Sequence, residues 1–248
     1  MTYSVVARCP ETGHLGVAVA SRFFAAGAVV PYLRARAACA SQAFANPLWG
    51  LEGVRRMNGG EAARAVLAAL VAGDEGAGQR QWHGIDAAGR IAAHTGADCL
   101  GWAGHATGDG VSVAGNMLAG PAVVADALGA FEAGKGTRLA ERLLAAMRAG
   151  AAAGGDRRGT QSAGLRVHRA EDFPWIDLRA DDHPDPLAEL GRLLDVAGER
   201  YLPMAEQMPS TAAPSGRPDR ALFERRVAEA ARRRRGPSRS FATPLAED

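Results

Sequence analysis

Thr2-Tyr3-Ser4-Val5-Val6-Ala7-Arg8, then Pro10-Glu11-Thr12-Gly13-His14, then Leu15-Gly16-Val17-Ala18-Val19-Ala20-Ser21-Arg22: the chain opens on a stretch that reads as a β-hairpin. Alternation places Tyr3, Val5 and Ala7 on one face of the first strand and Ser4, Val6 and Arg8 on the other. Pro10 to His14 supplies turn chemistry, and Leu15 to Ala20 is an apolar return strand. The residue behind Met1 is a threonine, a side chain small enough for aminopeptidases to remove the methionine ahead of it. Thr2 is then expected to be the chain terminus. A terminal threonine carries a hydroxyl that attacks carbonyls and an α-amine, of reference pKa about 8, that takes the hydroxyl proton. Many chains begin Met-Thr without that chemistry, so the hairpin needs support from the rest of the sequence.

Composition restricts the alternatives. At 248 residues the chain is long enough for one sizeable core plus an appendage. Apolar residues make up 47% of it, with aromatics only 6%, so the core is expected to be tightly packed and rich in Ala and Gly. A net charge of +2 gives no global reason to expect nucleic acid as a partner. No run of about 18 apolar residues and no basic-then-apolar leader is found, so no membrane partner is expected and the protein is read as cytoplasmic. Cys9, Cys39 and Cys99 share no CxxC spacing and read as buried free thiols. The six histidines form no HxxxH or HExxH pair, so no metal and no other cofactor is expected.

After the hairpin, Phe23 to Pro31 reads as a buried, Gly-punctuated loop, and Ser41 to Pro47 as a short strand that stops at Asn46-Pro47. Helices are expected over Trp49–Arg56 and Glu61–Ala72, the latter with Ala62, Val66 and Leu70 in one stripe. A second hairpin follows, Gln81–Asp86 and Arg90–Thr95. Gly101–Gly110 reads as a polar loop and Val111–Leu118 as a strand. Two helices run from Ala122 to Glu132 and from Leu139 to Arg148, and a strand covers Arg157–His168 with a short one, Ile176–Arg179, beside it. Asp185 is the expected N-cap and Pro186 the first residue of a helix reaching about Tyr201. The main domain is therefore placed at 1–202. Residues 203–248 hold nine Arg against six acidic residues and read as a solvated extension, or as a helix docking through Leu222, Phe223 and Val227.

The order of these elements, antiparallel strand pairs separated by helix pairs, does not suit a Rossmann sheet. It suits an α+β fold with two antiparallel sheets stacked between helical layers. Several separated segments carry a further likeness: Thr2–Ala7, Gly16–Phe23, Ser41–Pro47, His94-Thr95-Gly96, Gly115-Asn116-Met117-Leu118-Ala119-Gly120, Gly154–Ala163 and Asp181-Asp182-His183-Pro184. Together they resemble DUF1028, a family of uncharacterised bacterial proteins placed in the N-terminal nucleophile (Ntn) hydrolase superfamily. The resemblance spans about residues 2 to 202. It implies a four-layer αββα sandwich, activation by removal of what precedes the nucleophile, and attack on amide-type carbonyls. The hairpin is also similar to the opening of proteasome β-subunits. Those relatives place a lysine near the nucleophile, whereas this chain has one lysine, Lys135, far along the sequence. Arg8, Arg22 or Arg157 would have to supply the positive field.

The expected function is an amidohydrolase or acyltransferase in which Thr2 attacks an amide of a small amino-acid-derived or peptide-like substrate. The alternative is a non-catalytic metabolite-binding or assembly protein that retains the fold. Asn116, at a strand end after Gly115, is the first candidate to donate to the oxyanion, with Gln42 and Asn46 behind it. Asn beside Gly is also ordinary turn chemistry. Ser21 and Arg22 end the strand paired with that of Thr2, and either orient the α-amine, bind a substrate carboxylate or close a salt-bridged sheet end. Asp156, Arg157, Gln161 and Ser162 are expected either to turn the chain or to line the pocket opposite Thr2. His94 and Thr95 are further pocket candidates, and assembly as a homo-oligomer is compatible with all of this.

Overall fold

The computed structural model describes residues 2–234 and 236–242. They fall into two compact units divided at 190/191. In the first, the alternating opening becomes strands β1 (Thr2–Arg8) and β2 (Leu15–Ser21), paired antiparallel with Thr2 opposite Ser21 and Arg8 opposite Leu15. The turn closes through Gly13, at φ 72°, whose N–H donates to the Cys9 carbonyl at 2.8 Å.

The segment read as a buried loop holds a short helix, α1 (Ala26–Val29), and β3 (Pro31–Leu33). The next strand lies earlier than its polar end suggests: β4 is Ala38–Ala43. Asn46-Pro47 opens a helix instead of closing a strand. The Asn46 Oδ1 accepts from the Leu48 N–H at 3.0 Å, and Pro47 sits where a missing N–H is harmless. That helix is α2 (Pro47–Asn58), followed by α3 (Ala63–Ala72). Then come β5 (Arg80–Ile85), β6 (Ile91–Thr95), β7 (Trp102–Gly108) and β8 (Val111–Leu118). The expected loop at 101–110 is thus mostly β7. Its Gly-rich, polar composition reflects an edge position, half-exposed and irregular between Trp102 and Gly104. Helices α4 (Ala122–Ala133) and α5 (Leu139–Ala152) follow, then β9 (Ser162–His168), β10 (Pro174–Ala180) and α6 (Pro186–Glu199). β9 begins five residues later than expected, and Asp185 caps α6 by accepting from the Ala188 N–H at 3.0 Å.

Six strands form one antiparallel sheet in the order β10-β9-β2-β1-β8-β7, and four form another, β3-β4-β5-β6. The two sheets stack. Helices α4 and α5 cover the outer face of the larger one, and α2 and α3 that of the smaller. Side-chain parity follows from the pleat. Tyr3 turns outward under the helices, where its hydroxyl donates to the Met147 carbonyl at 2.8 Å. Thr2, Ser4 and Val6 turn inward. Val6, Leu15, Val17, Val19, Ala38, Ala40 and Ile85 fill one half of the layer between the sheets. Trp49, Val54, Met57, Val66 and Trp82 pack beneath α2 and α3.

The second unit runs from within α6 through α7 (Tyr201–Ala205) to α8 (Arg220–Arg233). The described part of the tail thus includes one helix, α8, between irregular segments. Asp219 caps α8 by accepting from the Leu222 N–H at 2.8 Å, and Leu222, Phe223 and Val227 are half-buried. Residues 236–242 lie along α6: Arg239 pairs with Asp195 at 2.8 Å, and the Arg192 guanidinium stacks over Phe241. Arg235, within the arginine run, lies outside the described residues, as does Met1. Among the described residues no helix is long and apolar enough to cross a membrane.

Candidate functional site

β1 is an interior strand, so Thr2 is held by two ladders at once: Ser21 of β2 lies opposite it on one side and Asn116 of β8 on the other. Its hydroxyl lies 3.0 Å from the Ser21 Oγ, which also accepts from the Phe23 N–H at 3.0 Å. The residue is only 6% exposed. The Asn116 Nδ2 reaches back to the Thr2 carbonyl at 3.4 Å and donates to the Gln81 Oε1 at 3.0 Å.

Behind Thr2 the layer between the sheets turns from apolar to polar. The Gln81 Nε2 faces three acceptors, the Gly115 carbonyl at 2.8 Å, Thr95 Oγ1 at 3.0 Å and the Gly104 carbonyl at 3.2 Å. The Gln42 Nε2 donates to the Gln81 Oε1 at 2.9 Å and to the Ala114 carbonyl at 3.2 Å. The Ser4 hydroxyl donates to the Gln42 Oε1 at 2.7 Å and lies 2.8 Å from His83 Nε2, and His83 Nδ1 lies 2.9 Å from the Ser112 hydroxyl. Ser4, Gln42, Gln81, His83, Ser112 and Asn116 are all buried. Burial, and then the neighbouring His105, push the His83 pKa from 6.5 down to about 3, so the imidazole is neutral at ordinary pH.

Backbone geometry marks the same end. Ala43, directly after Gln42, has φ 69°, and Met117, directly after Asn116, has φ 52°. A left-handed backbone at a non-glycine residue persists only where its surroundings impose it, and such positions concentrate at functional sites.

The other sequence candidates divide into walls and outsiders. Asp156 is buried, and its carboxylate accepts from the Arg22 N–H at 3.1 Å and the Arg158 N–H at 2.8 Å, fixing the chain just beyond Ser21. Ser162 accepts from the Ala26 N–H at 3.0 Å and donates to the Phe23 carbonyl at 2.6 Å. The Gln161 N–H donates to the Ser21 carbonyl at 2.8 Å, and its side chain reaches Asp182 at 3.1 Å. Arg22 and Arg157 are exposed, and so are Phe23, Phe24 and Phe44, which follow Ser21 and Gln42. Thr95 joins the inner network and meets His105 Nδ1 at 2.9 Å. His94 faces the other way: opposite Trp82 in the ladder, it contacts the Ala77 carbonyl and the Trp49 ring under the helices. The Asn46 side chain is committed to capping α2 and to Asp74, at 3.0 Å. Arg8 lies at the far end of β1, six residues or about 20 Å from Thr2, too distant to act on its amine.

Ser4, Gln81, His83 and Ser112 were not singled out from sequence. Their signal is parity: each lies an even number of residues from an inward apolar or site residue, as Ser4 does from Val6 and Ser112 from Asn116.

The family model DUF1028, described as a family of unknown function, matches residues 2–190. The chain belongs to DUF1028. The crystal structure of protein SPO2555 from Silicibacter pomeroyi, assigned to the same family, is similar to it with a TM-score of 0.80 and 30% sequence identity. The similarity covers 88% of this chain and 99% of that one. No curated protein matches the chain. The DUF1028 match ends where the first compact unit ends, so the arginine-bearing tail stands outside it.

Proposed function

We propose that this DUF1028 protein is an N-terminal nucleophile hydrolase of the αββα sandwich type, acting on an amide of a small amino-acid-derived or peptide-like substrate. The observation that carries the reading is the placement of Thr2: first residue of an interior strand, hydroxyl against Ser21, at the polar end of a two-sheet sandwich. Once Met1 is removed, the Thr2 Oγ attacks the amide carbonyl carbon and its proton passes to the α-amine. The tetrahedral intermediate collapses with cleavage of the C–N bond, the leaving amine takes that proton, and water hydrolyses the resulting ester. Asn116 is the candidate side-chain donor for the oxyanion, and it reaches one by turning an N–H from the Thr2 carbonyl. Arg22 and Phe23, exposed directly after Ser21, favour a substrate carrying a carboxylate and an apolar group.

Intact-mass measurement after exposure to a β-lactone probe tests the assignment. Wild type and Thr2→Ser should lack Met1 and gain one adduct, and Thr2→Ala should gain none. Equal labelling of Thr2→Ala, or labelling of protein that retains Met1, defeats it. The sole lysine, Lys135, lies between α4 and α5, and this favours a second reading: a metabolite-binding protein that keeps the sandwich without the chemistry. On that reading the probe leaves wild type unlabelled.

A further inference from the structure

The inter-sheet network has one self-consistent direction, and it is set by backbone carbonyls. Carbonyl oxygens only accept, so the amide nitrogen of Gln42 must face the Ala114 carbonyl and that of Gln81 the Gly115 carbonyl. Turning Gln42 over would set its oxygen against both the Ala114 carbonyl and the Gln81 Oε1. With Gln42 so fixed, its Oε1 faces Ser4, and the Ser4 hydroxyl has to donate its only proton there. Ser4 can then only accept from His83, which requires the proton on Nε2. The neutral ring leaves Nδ1 as an acceptor, and the Ser112 hydroxyl donates to it. The chain therefore runs Ser112 to His83 to Ser4 to Gln42 to Gln81, and Gln81 Oε1 also receives the amide of Asn116 that grips the Thr2 carbonyl.

We infer that His83, held as its Nε2–H tautomer between Ser4 and Ser112, is a positioning residue that acts through Gln42 and Gln81 to orient the Asn116 amide against Thr2. It does not carry protons to the nucleophile, because two carboxamides interrupt the path. Its task is to hand Ser4 a donor, so that the Ser4 proton has nowhere to point except Gln42. An apolar side chain here would leave the Ser4 hydroxyl without its donor and loosen its hold on the Gln42 Oε1, so that the carboxamide keeps its face through Ala114 and Gln81 but is held less rigidly. His83 is fully buried, and its depressed basicity keeps the direction constant across the working pH range. The inference concerns the scaffold and does not depend on whether Thr2 reacts.

Protein labelled with ¹⁵N-histidine tests the tautomer, His83 being assigned by the resonance lost in His83→Gln. A protonated Nε2 and a pyridine-like Nδ1, unchanged from pH 8 to pH 5, are expected; an Nδ1–H tautomer or an imidazolium in that range overturns the inference. The Asn116 side-chain amide, assigned with Asn116→Ala, tests the transmission. His83→Phe should shift its resonances and speed its proton exchange about tenfold. His83→Gln places an amide donor near Nε2 and should restore wild-type behaviour. Ser4→Ala cuts the chain at a single hydroxyl, should reproduce the His83→Phe effect, and stands in for that variant if it does not fold. An Asn116 amide unmoved by the available cut overturns the inference. Rates of β-lactone labelling should rank wild type with His83→Gln above His83→Phe. A wild type that takes no label removes the Thr2 proposal and leaves the spectroscopic result standing.

Discussion

The layer between the two sheets has two halves of equal burial and opposite character. In one, Val6, Leu15, Val17, Val19, Ala38, Ala40 and Ile85 meet through side chains without direction. In the other, on β1, β4, β5 and β8, Ser4, Gln42, Gln81, His83, Ser112 and Asn116 meet through hydrogen bonds with assigned donors and acceptors. The apolar half tolerates small shifts of one sheet over the other. The polar half does not, because each displaced group becomes a buried orphan. A scaffold that needed only stability would have continued the apolar packing. The polar half instead fixes the sheets' register at the end where Thr2 sits.

Substitutions on either side separate the two kinds of layer. The largest effect is expected for Gln81→Leu, which removes the acceptor of one N–H each of Gln42 and Asn116 and a donor to the Gly115 carbonyl, each buried group left unpaired costing about 1–3 kcal/mol. Urea unfolding should show a loss exceeding that of Ile85→Ala, which opens a cavity in the apolar half and costs about 2–5 kcal/mol. A smaller loss than for Ile85→Ala would show that the polar half is not the stricter one.

Acid should also distinguish the halves. His83 holds a pKa of about 3 in the folded protein against 6.5 when unfolded, so below pH 6.5 the unfolded chain binds the extra proton. The contribution of the neutral ring is complete above that pH and is lost as pH falls from 6.5 towards 3, by about 1.4 kcal/mol per unit. Unfolding measured from pH 7 to pH 4 should show this additional slope in wild type and in Ile85→Ala, and not in His83→Gln. Equal slopes in wild type and His83→Gln would remove the assigned cause. The smallest effect is expected at Ala43, where glycine relieves the left-handed strain at some entropic cost and should stabilise by about 0.5 kcal/mol, read as a higher midpoint.

Period and punctuation carried much of this architecture. The hairpin of β1 and β2, the Ala122 and Leu139 helix starts and the Asp185-Pro186 cap stand where alternation, apolar stripes and turn residues put them. β7 escaped because an edge strand needs no apolar face, and its WAGHATG looks like a linker. Asn46-Pro47 misled because the same pair ends a strand or begins a helix, and only the Asp74 and Leu48 contacts decide which. Within the candidate site, Thr2, Asn116 and Gln42 were named from sequence, and the structure joins them through Gln81. His94 was not separable from an inward residue until the ladder set it opposite Trp82. The Gln81–His83 core was hidden because polar residues inside a strand ordinarily mark the solvent face. Inward polarity is visible only once a second sheet is known to cover it.

The interior position of β1 has a practical side for anyone making this protein. A strand paired on both edges admits an affinity tag ahead of Thr2 without unfolding, because the ladders to Ser21 and Asn116 remain. On the proposed mechanism, such a fusion would convert the α-amine into an amide, incapable of taking a proton, and yield folded material that β-lactone probes leave unlabelled. Purification handles therefore belong after the tail, and screens for substrate should begin with protein whose leading residue has been verified.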